Sequence, residues 1–177
     1  MSGGAPRVVI DTNVLLDIWV FDDPSARPLR AGIEAGRVRA LRSEQCDAEF
    51  AEVLARGQFG LDEAARAVLL ERWAACSEPV APPPAAPLSC ADPDDQKFLD
   101  AAFAAGADLL VTRDKALLQL ARRAGALGLR ITTAAEAMTY DRLHSHAGST
   151  PAVRPSTNAT QCTSTASCPR SEPPSSP

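Results

Sequence analysis

Two short apolar runs, each ended by an acid, constrain this chain more than any other feature: "VVID" at residues 8–11 and "LLVTRD" at residues 109–114. Runs of Val, Ile and Leu this short, without polar alternation, fit strands buried on both faces, as in a parallel sheet. Parallel neighbours need crossover connections, and the rest of the sequence supplies them. A strand over 8–10 leads into a helix from about 13 to 20, and "RVRALRS" (37–43) reads as a second short strand. "EQCDAEFAEVLARG" reads as a helix closed by Gly57. "LDEAARAVLLERWAAC" reads as another, with Leu61, Ala65, Val68, Leu69 and Trp73 at helical spacing. "EPVAP" is a candidate strand, "PPPAAPLSCA" a loop, "DPDDQKFLDAAFAAG" a helix and "DLLVT" a strand. "DKALLQLARRAG" then reads as a helix and "LRITT" as the last strand. Strands alternating with helices predict an α/β fold, its parallel sheet covered on both faces and its crossovers right-handed.

The folded part is predicted to end near residue 142. Residues 143–177 are rich in Ser, Thr and Pro, and a segment with so few large apolar side chains cannot offset its ordering entropy by burial. That leaves residues 1–142 as the domain and 143–177 as a disordered tail. At 45% hydrophobic and 23% charged residues the composition is that of an ordinary globular domain. No apolar window reaches membrane-spanning length, and "MSGGAPR" lacks the regions of a signal peptide, so a cytoplasmic location is expected. The cysteines at 46, 76, 90, 162 and 168 form no CxxC pair and are read as reduced thiols. A net charge of −4 provides no global basic field, so any contact with nucleic acid must be local.

The acids carry the chemistry. In open α/β sheets the site lies beyond the carboxyl ends of the strands, where both Asp11 and Asp114 are expected. Each is also a plausible helix cap. "DPDD" adds Asp92 as an N-cap with Pro93 at the first helical position, which accounts for Asp92 and Asp94. Asp95 is different, because it shares its helix face with Phe98, Leu99, Ala102, Phe103 and Gly106. A carboxylate on an apolar face must be paired, protonated or metal-bound. Glu49 borders the stripe of Cys46, Phe50, Val53 and Leu54, whereas Glu52 points outward towards Arg56 at i+4. Acids brought together without a cation raise one another's pKa, and an oxygen-only set suits Mg²⁺ or Mn²⁺ better than zinc. His144 and His146 lie in the transition to the tail and are not expected as ligands or bases. GxSxG, glycine-rich phosphate-loop and HExxH motifs are all absent.

"VVIDTNVLLD", "EFAEVLAR" and "DPDDQKFLDAAFAAGADLLVTRDKALL" together resemble a PIN domain, in the toxin-like branch related to VapC ribonucleases. The resemblance covers about residues 7 to 138. It implies a Rossmann-like three-layer α/β/α sandwich and an endoribonuclease that uses Mg²⁺ or Mn²⁺, with water attacking phosphorus in line to leave a 5′-phosphate and a 3′-hydroxyl. By position, Asp11, Glu49, Asp95 and Asp114 match the family's metal-holding acids, Asp95 standing eleven residues before Gly106. Asn13 matches the polar residue supporting the first acid, and Thr112 the small hydroxyl near the metal. The branch further implies an RNA substrate, a cognate antitoxin protein and a homodimer.

Two other phosphoryl-transfer folds fit less well. A haloacid-dehalogenase-type phosphatase wants a second aspartate where Asn13 stands, and a receiver domain wants a lysine after a later strand, whereas Lys115 directly follows Asp114. A catalytically silent PIN-fold module that only binds a protein partner is the alternative from a different class.

Overall fold

A computed structural model describes residues 4–145, with side chains described as far as Thr139. Five strands among these residues form one all-parallel sheet: β1 (Arg7–Ile10), β2 (Arg39–Arg42), β3 (Ser77–Pro79), β4 (Leu109–Val111) and β5 (Arg130–Thr132). Their order is β3-β2-β1-β4-β5. The chain builds outward from β1 to one edge, returns, and builds outward again from β4, so β1 and β4 flank the switch point. Pro79 sits on the edge strand, where its missing N–H costs nothing.

Period-two alternation divides the apolar residues between two cores. Val8, Ile10, Leu109 and Val111 face one side, and Val9, Leu110 and Ile131 the other. The first core is covered by α1 (Thr12–Trp19), α2 (Arg27–Glu34), part of α3 (Glu44–Ala55), Trp73 of α4 (Glu63–Ala75), and α8 (Ala134–Ser145). The second is covered by α5 (Gln96–Ala104), α6 (Lys115–Leu118) and α7 (Ala121–Gly125). The result is the expected three-layer α/β/α sandwich, with strands buried on both faces.

Several local expectations change. "DKALLQLARRAG" is two helices, because Leu120 N–H bonds to Leu117 O at 2.9 Å and tightens the turn between α6 and α7. Only Trp73 of α4 is buried, while Val68, placed on its expected apolar stripe, is 60% exposed, so this helix lies at the periphery. Helices α2 and α8 are additions to the sequence reading. Helix α8 runs to Ser145, past the boundary set at residue 142. The Ser/Thr/Pro-rich segment beyond it, with His146, Cys162 and Cys168, lies outside the described residues.

Candidate active site

Asp11 directly follows β1 and is 1% exposed. Its backbone N–H extends the sheet to Val111 O at 2.9 Å, so the side chain is aimed outward from the strand end by the ladder itself. One carboxylate oxygen caps α1 by accepting the Asn13 N–H at 3.2 Å; the other accepts the Thr112 hydroxyl at 2.7 Å. Capping and site placement are therefore the same geometry seen from two sides.

Thr112 is fully buried and joins the two strand ends. Its hydroxyl donates to Asp11 and accepts the Asp114 N–H at 2.9 Å. Asp114 in turn caps α6, accepting the Ala116 N–H at 2.6 Å and the Leu117 N–H at 3.4 Å. Asn13 contributes to Asp11 through its backbone, and its residue is exposed, so the contact expected of its side-chain amide is made by an N–H that any residue supplies.

Asp95 ends a 3-10 turn (Pro93–Asp95) and opens α5. Asp92 caps that turn as expected, accepting the Asp94 N–H at 2.9 Å. Gln96 then fixes the whole corner: its amide donates to Leu88 O at 3.0 Å and Asp100 at 2.8 Å, and its oxygen accepts the Cys90 N–H at 2.7 Å. At the other end of α5, Gly106 takes the left-handed conformation (φ 57°) that lets the chain turn into β4. Glu49 lies on α3 with its side chain 29% exposed, while Glu52 is 71% exposed and pairs with Arg56 at 3.0 Å, the facing read from the helical wheel.

Electrostatics show that these acids sense one another. Burial raises the Asp11 pKa, opposed by the hydrogen bonds from Thr112 and Asn13 and reinforced by the charges of Glu49 and Asp114. Asp95 is pushed up to about 7, first by burial, then by Asp114, Asp11 and Asp92 and by a hydrogen bond shared with Asp114. Asp11 thus stands in the field of the other three acids, and the structure brings all four positions to one end of the sheet.

Sequence reading missed two cations here. Lys97, two residues after Asp95, places its ammonium 2.7 Å from Glu49 Oε2. Arg113, beside Asp114, contacts both oxygens of the mostly buried Asp17 at 3.0 and 3.1 Å with one nitrogen. Burial raises the Asp17 pKa and Arg113 opposes the shift. The signal for Asp17 was its place in the apolar run of α1, the criterion that singled out Asp95.

A hard divalent cation fits this donor set by chemistry. The ligands on offer are carboxylate and hydroxyl oxygens, and burial, reinforced by the charges of Glu49 and Asp114, raises the Asp11 pKa, a cost that a bound cation would relieve. In their present rotamers, no three His, Cys, Asp or Glu side chains among the described residues stand close enough to share one ion. Asp95 and Asp114 share a hydrogen bond instead, and Glu49 is held by Lys97.

A family profile described as a PIN domain matches residues 7–116, from the first residue of β1 to the first turn of α6. No curated protein matches the chain. Every acid of the cluster falls inside the matched segment, which spans more than half of the sequence, and the protein belongs to the PIN domain family, whose members are generally nucleases.

Proposed function

We propose that this protein is a Mg²⁺- or Mn²⁺-dependent endoribonuclease, acting as the toxin of a type II toxin–antitoxin system. The observation that supports it best is Thr112, buried and bonded to both Asp11 and Asp114 across the switch point, with the field of Glu49 and Asp95 on the same spot. A structural role requires no such convergence, since mutually repelling carboxylates destabilise a fold.

Asp11, Glu49, Asp95 and Asp114 would hold the ion, which when bound would activate water and neutralise charge on a phosphodiester. The chain's own part is orientation and proton handling. Thr112 and the Asn13 N–H keep the Asp11 oxygens fixed and pointed out of the sheet. In the metal-free protein Asp95 is pushed up to about 7 by burial and by its acidic neighbours, so loading the ion would release a proton from it. Arg113, 56% exposed and anchored through one nitrogen, has its remaining donors free to meet a phosphate.

RNA cleavage by the purified chain with Mn²⁺, with EDTA, and with Asp11→Asn tests this reading. Cleavage that needs the metal and disappears in the variant supports it; cleavage insensitive to both rejects it. The Glu49–Lys97 pair favours the second reading, a silent protein-binding module, because it gives one acid a resident partner. That reading stands if the chain binds no Mn²⁺.

The toxin assignment rests on the resemblance and places the protein in the cytoplasm with an antitoxin beside it. A neighbouring reading frame for a small protein with a DNA-binding start would support that role. Pairing of two copies draws support from the exposed Val68, which with Trp19, Leu61, Ala65 and Leu69 lines a shallow apolar depression. Light scattering at micromolar concentration decides it.

A further inference from the structure

Lys97 is in a costly place for a lysine. It lies in the first turn of α5, where unpaired N–H groups already make the helix end positive and a cation is disfavoured. Its side chain is only 18% exposed. The ammonium turns back to donate to the Asp94 carbonyl, lies 5.2 Å from the centre of the Phe98 ring, and stands 2.7 Å from Glu49 Oε2 on α3. That oxygen is buried and has no hydrogen-bond donor in line, so the ion pair is a coulombic hold and not a directed bond. Two further titratable groups sense the pair: Asp11, whose pKa is raised by burial and in part by Glu49, and Cys46, whose thiol is pushed up to about 11 by burial and stays neutral. Among the described residues Lys97 is the cation paired with Glu49, and it carries a single charge.

We propose that Lys97 is a resident monovalent counter-ion that competes with the divalent ion for Glu49. It holds the carboxylate while the site is metal-free and yields it when the ion loads, so Lys97 sets the metal concentration at which the site fills. The inference rests on the metal-dependent reading above. Its physical basis is that an ammonium and a divalent ion cannot both neutralise the same carboxylate oxygen, and that a positive charge this near a cation site repels the incoming ion. The pair also keeps one acid from adding to the repulsion in the metal-free protein.

The test is a Mn²⁺ titration followed by electron paramagnetic resonance, on the full chain and on Lys97→Met, Lys97→Arg, Glu49→Gln and the Lys97→Met/Glu49→Gln double variant. A thermal melt of each establishes folding, and Lys97→Gln replaces Lys97→Met if the latter does not fold. Lys97→Met should bind Mn²⁺ more tightly than the parent, by about fivefold or more, the lower range of couplings between two competing sites. Lys97→Arg should stay near the parent. With Glu49→Gln already present, removing Lys97 should change affinity little.

Equal or weaker binding by Lys97→Met overturns the proposal. So does a gain of the same size in the Glu49→Gln background, which would reduce Lys97 to a general positive charge. A parent chain that binds no Mn²⁺ rejects the metal-dependent function itself, and this inference with it.

Discussion

At the amino ends of the strands, Asp108 accepts the Arg7 N–H at 2.7 Å, and Glu78 takes Arg39 through both oxygens at 2.9 and 2.6 Å. At the carboxyl ends, Asp11 and Asp95 face other carboxylates. The same sheet therefore holds its acids in two opposite states. The Glu78 pKa is lowered by its hydrogen bonds to Arg39, while burial and like charge raise those of Asp11 and Asp95. One set is neutralised by cations of the chain itself; the other keeps carboxylates facing one another. Acids kept together against their repulsion cost stability, which is what makes this end of the sheet the candidate site.

The sharpest way to break this contrast is to neutralise one acid at the carboxyl end. Asp11→Asn should lower metal-dependent RNA cleavage by about a hundredfold or more, beyond the range typical for removing an outer-shell partner. Without metal the same variant should melt higher than the parent, since it removes a buried charge in a negative field. A nuclease assay and a melt with EDTA read both effects; a variant that cleaves normally, or melts lower without metal, breaks the comparison.

Thr112→Val comes next. It takes the donor from Asp11 and the acceptor from the Asp114 N–H, so metal affinity or activity should fall about 10- to 100-fold. The buried groups left unpaired should lower stability by about 1–3 kcal/mol. Here activity and stability fall together, unlike in Asp11→Asn. A Thr112→Val enzyme with full affinity for Mn²⁺ would show that the two strand ends act independently.

The third test is pH. The folded pKa of Asp95, about 7, exceeds its ordinary 3.8, so between those values the folded state holds a proton that the unfolded state releases. Its contribution to stability is present below the unfolded value and is lost as pH rises towards about 7. The metal-free chain should therefore melt progressively lower from roughly pH 5 to 8, and Mn²⁺ should bind more tightly over the same span. Glu34, Glu78 and Glu136, whose pKa values are lowered by their partners, act in the opposite direction and below that window. A melting temperature flat across the window would mean that the two ends titrate alike.

The last test separates two glutamates on one helix, the second of which should give the smallest effect of all. Glu49→Gln should remove most cleavage and leave the fold intact, whereas Glu52→Gln, losing only an exposed i,i+4 pair, should cost a few tenths of a kcal/mol and no activity. The reverse outcome would mean that the wrong face of α3 has been assigned to the site.

Strands β1 and β4 were legible because they are uninterrupted apolar runs followed by acids, and the outward facing of Glu52 followed from spacing alone. Asp95, by contrast, stands in a 3-10 turn ahead of α5 and so off the helical wheel on which its face was read. What escaped has physical reasons. Helix α2 begins without a side-chain cap and carries Arg27 and Arg30, so its signal is carried by Leu29 and Ile33 and by Pro28 in its first turn. Helix α8 buries Ala134 and Ala137, small residues that leave a faint periodicity. Lys97 escaped because a lysine beside three aspartates reads as a surface charge, and its partner is 48 positions away, on another helix. The bridging role of Thr112 is tertiary, since it depends on β1 and β4 being neighbours.

That adjacency has a consequence for synthesis. The bond from Thr112 to Asp11 spans 101 residues of sequence, and β4 is the fourth of five strands to leave the ribosome. Until it docks against β1, Asp11 has neither its hydroxyl partner nor Asp114 beside it, and α5 has no strand to carry Asp95 into place. Closing so long a loop comes late in assembly. A chain cut short before β4 therefore holds its acids scattered and chemically ordinary, and the cluster comes into being only once β4 and Asp114 have joined β1.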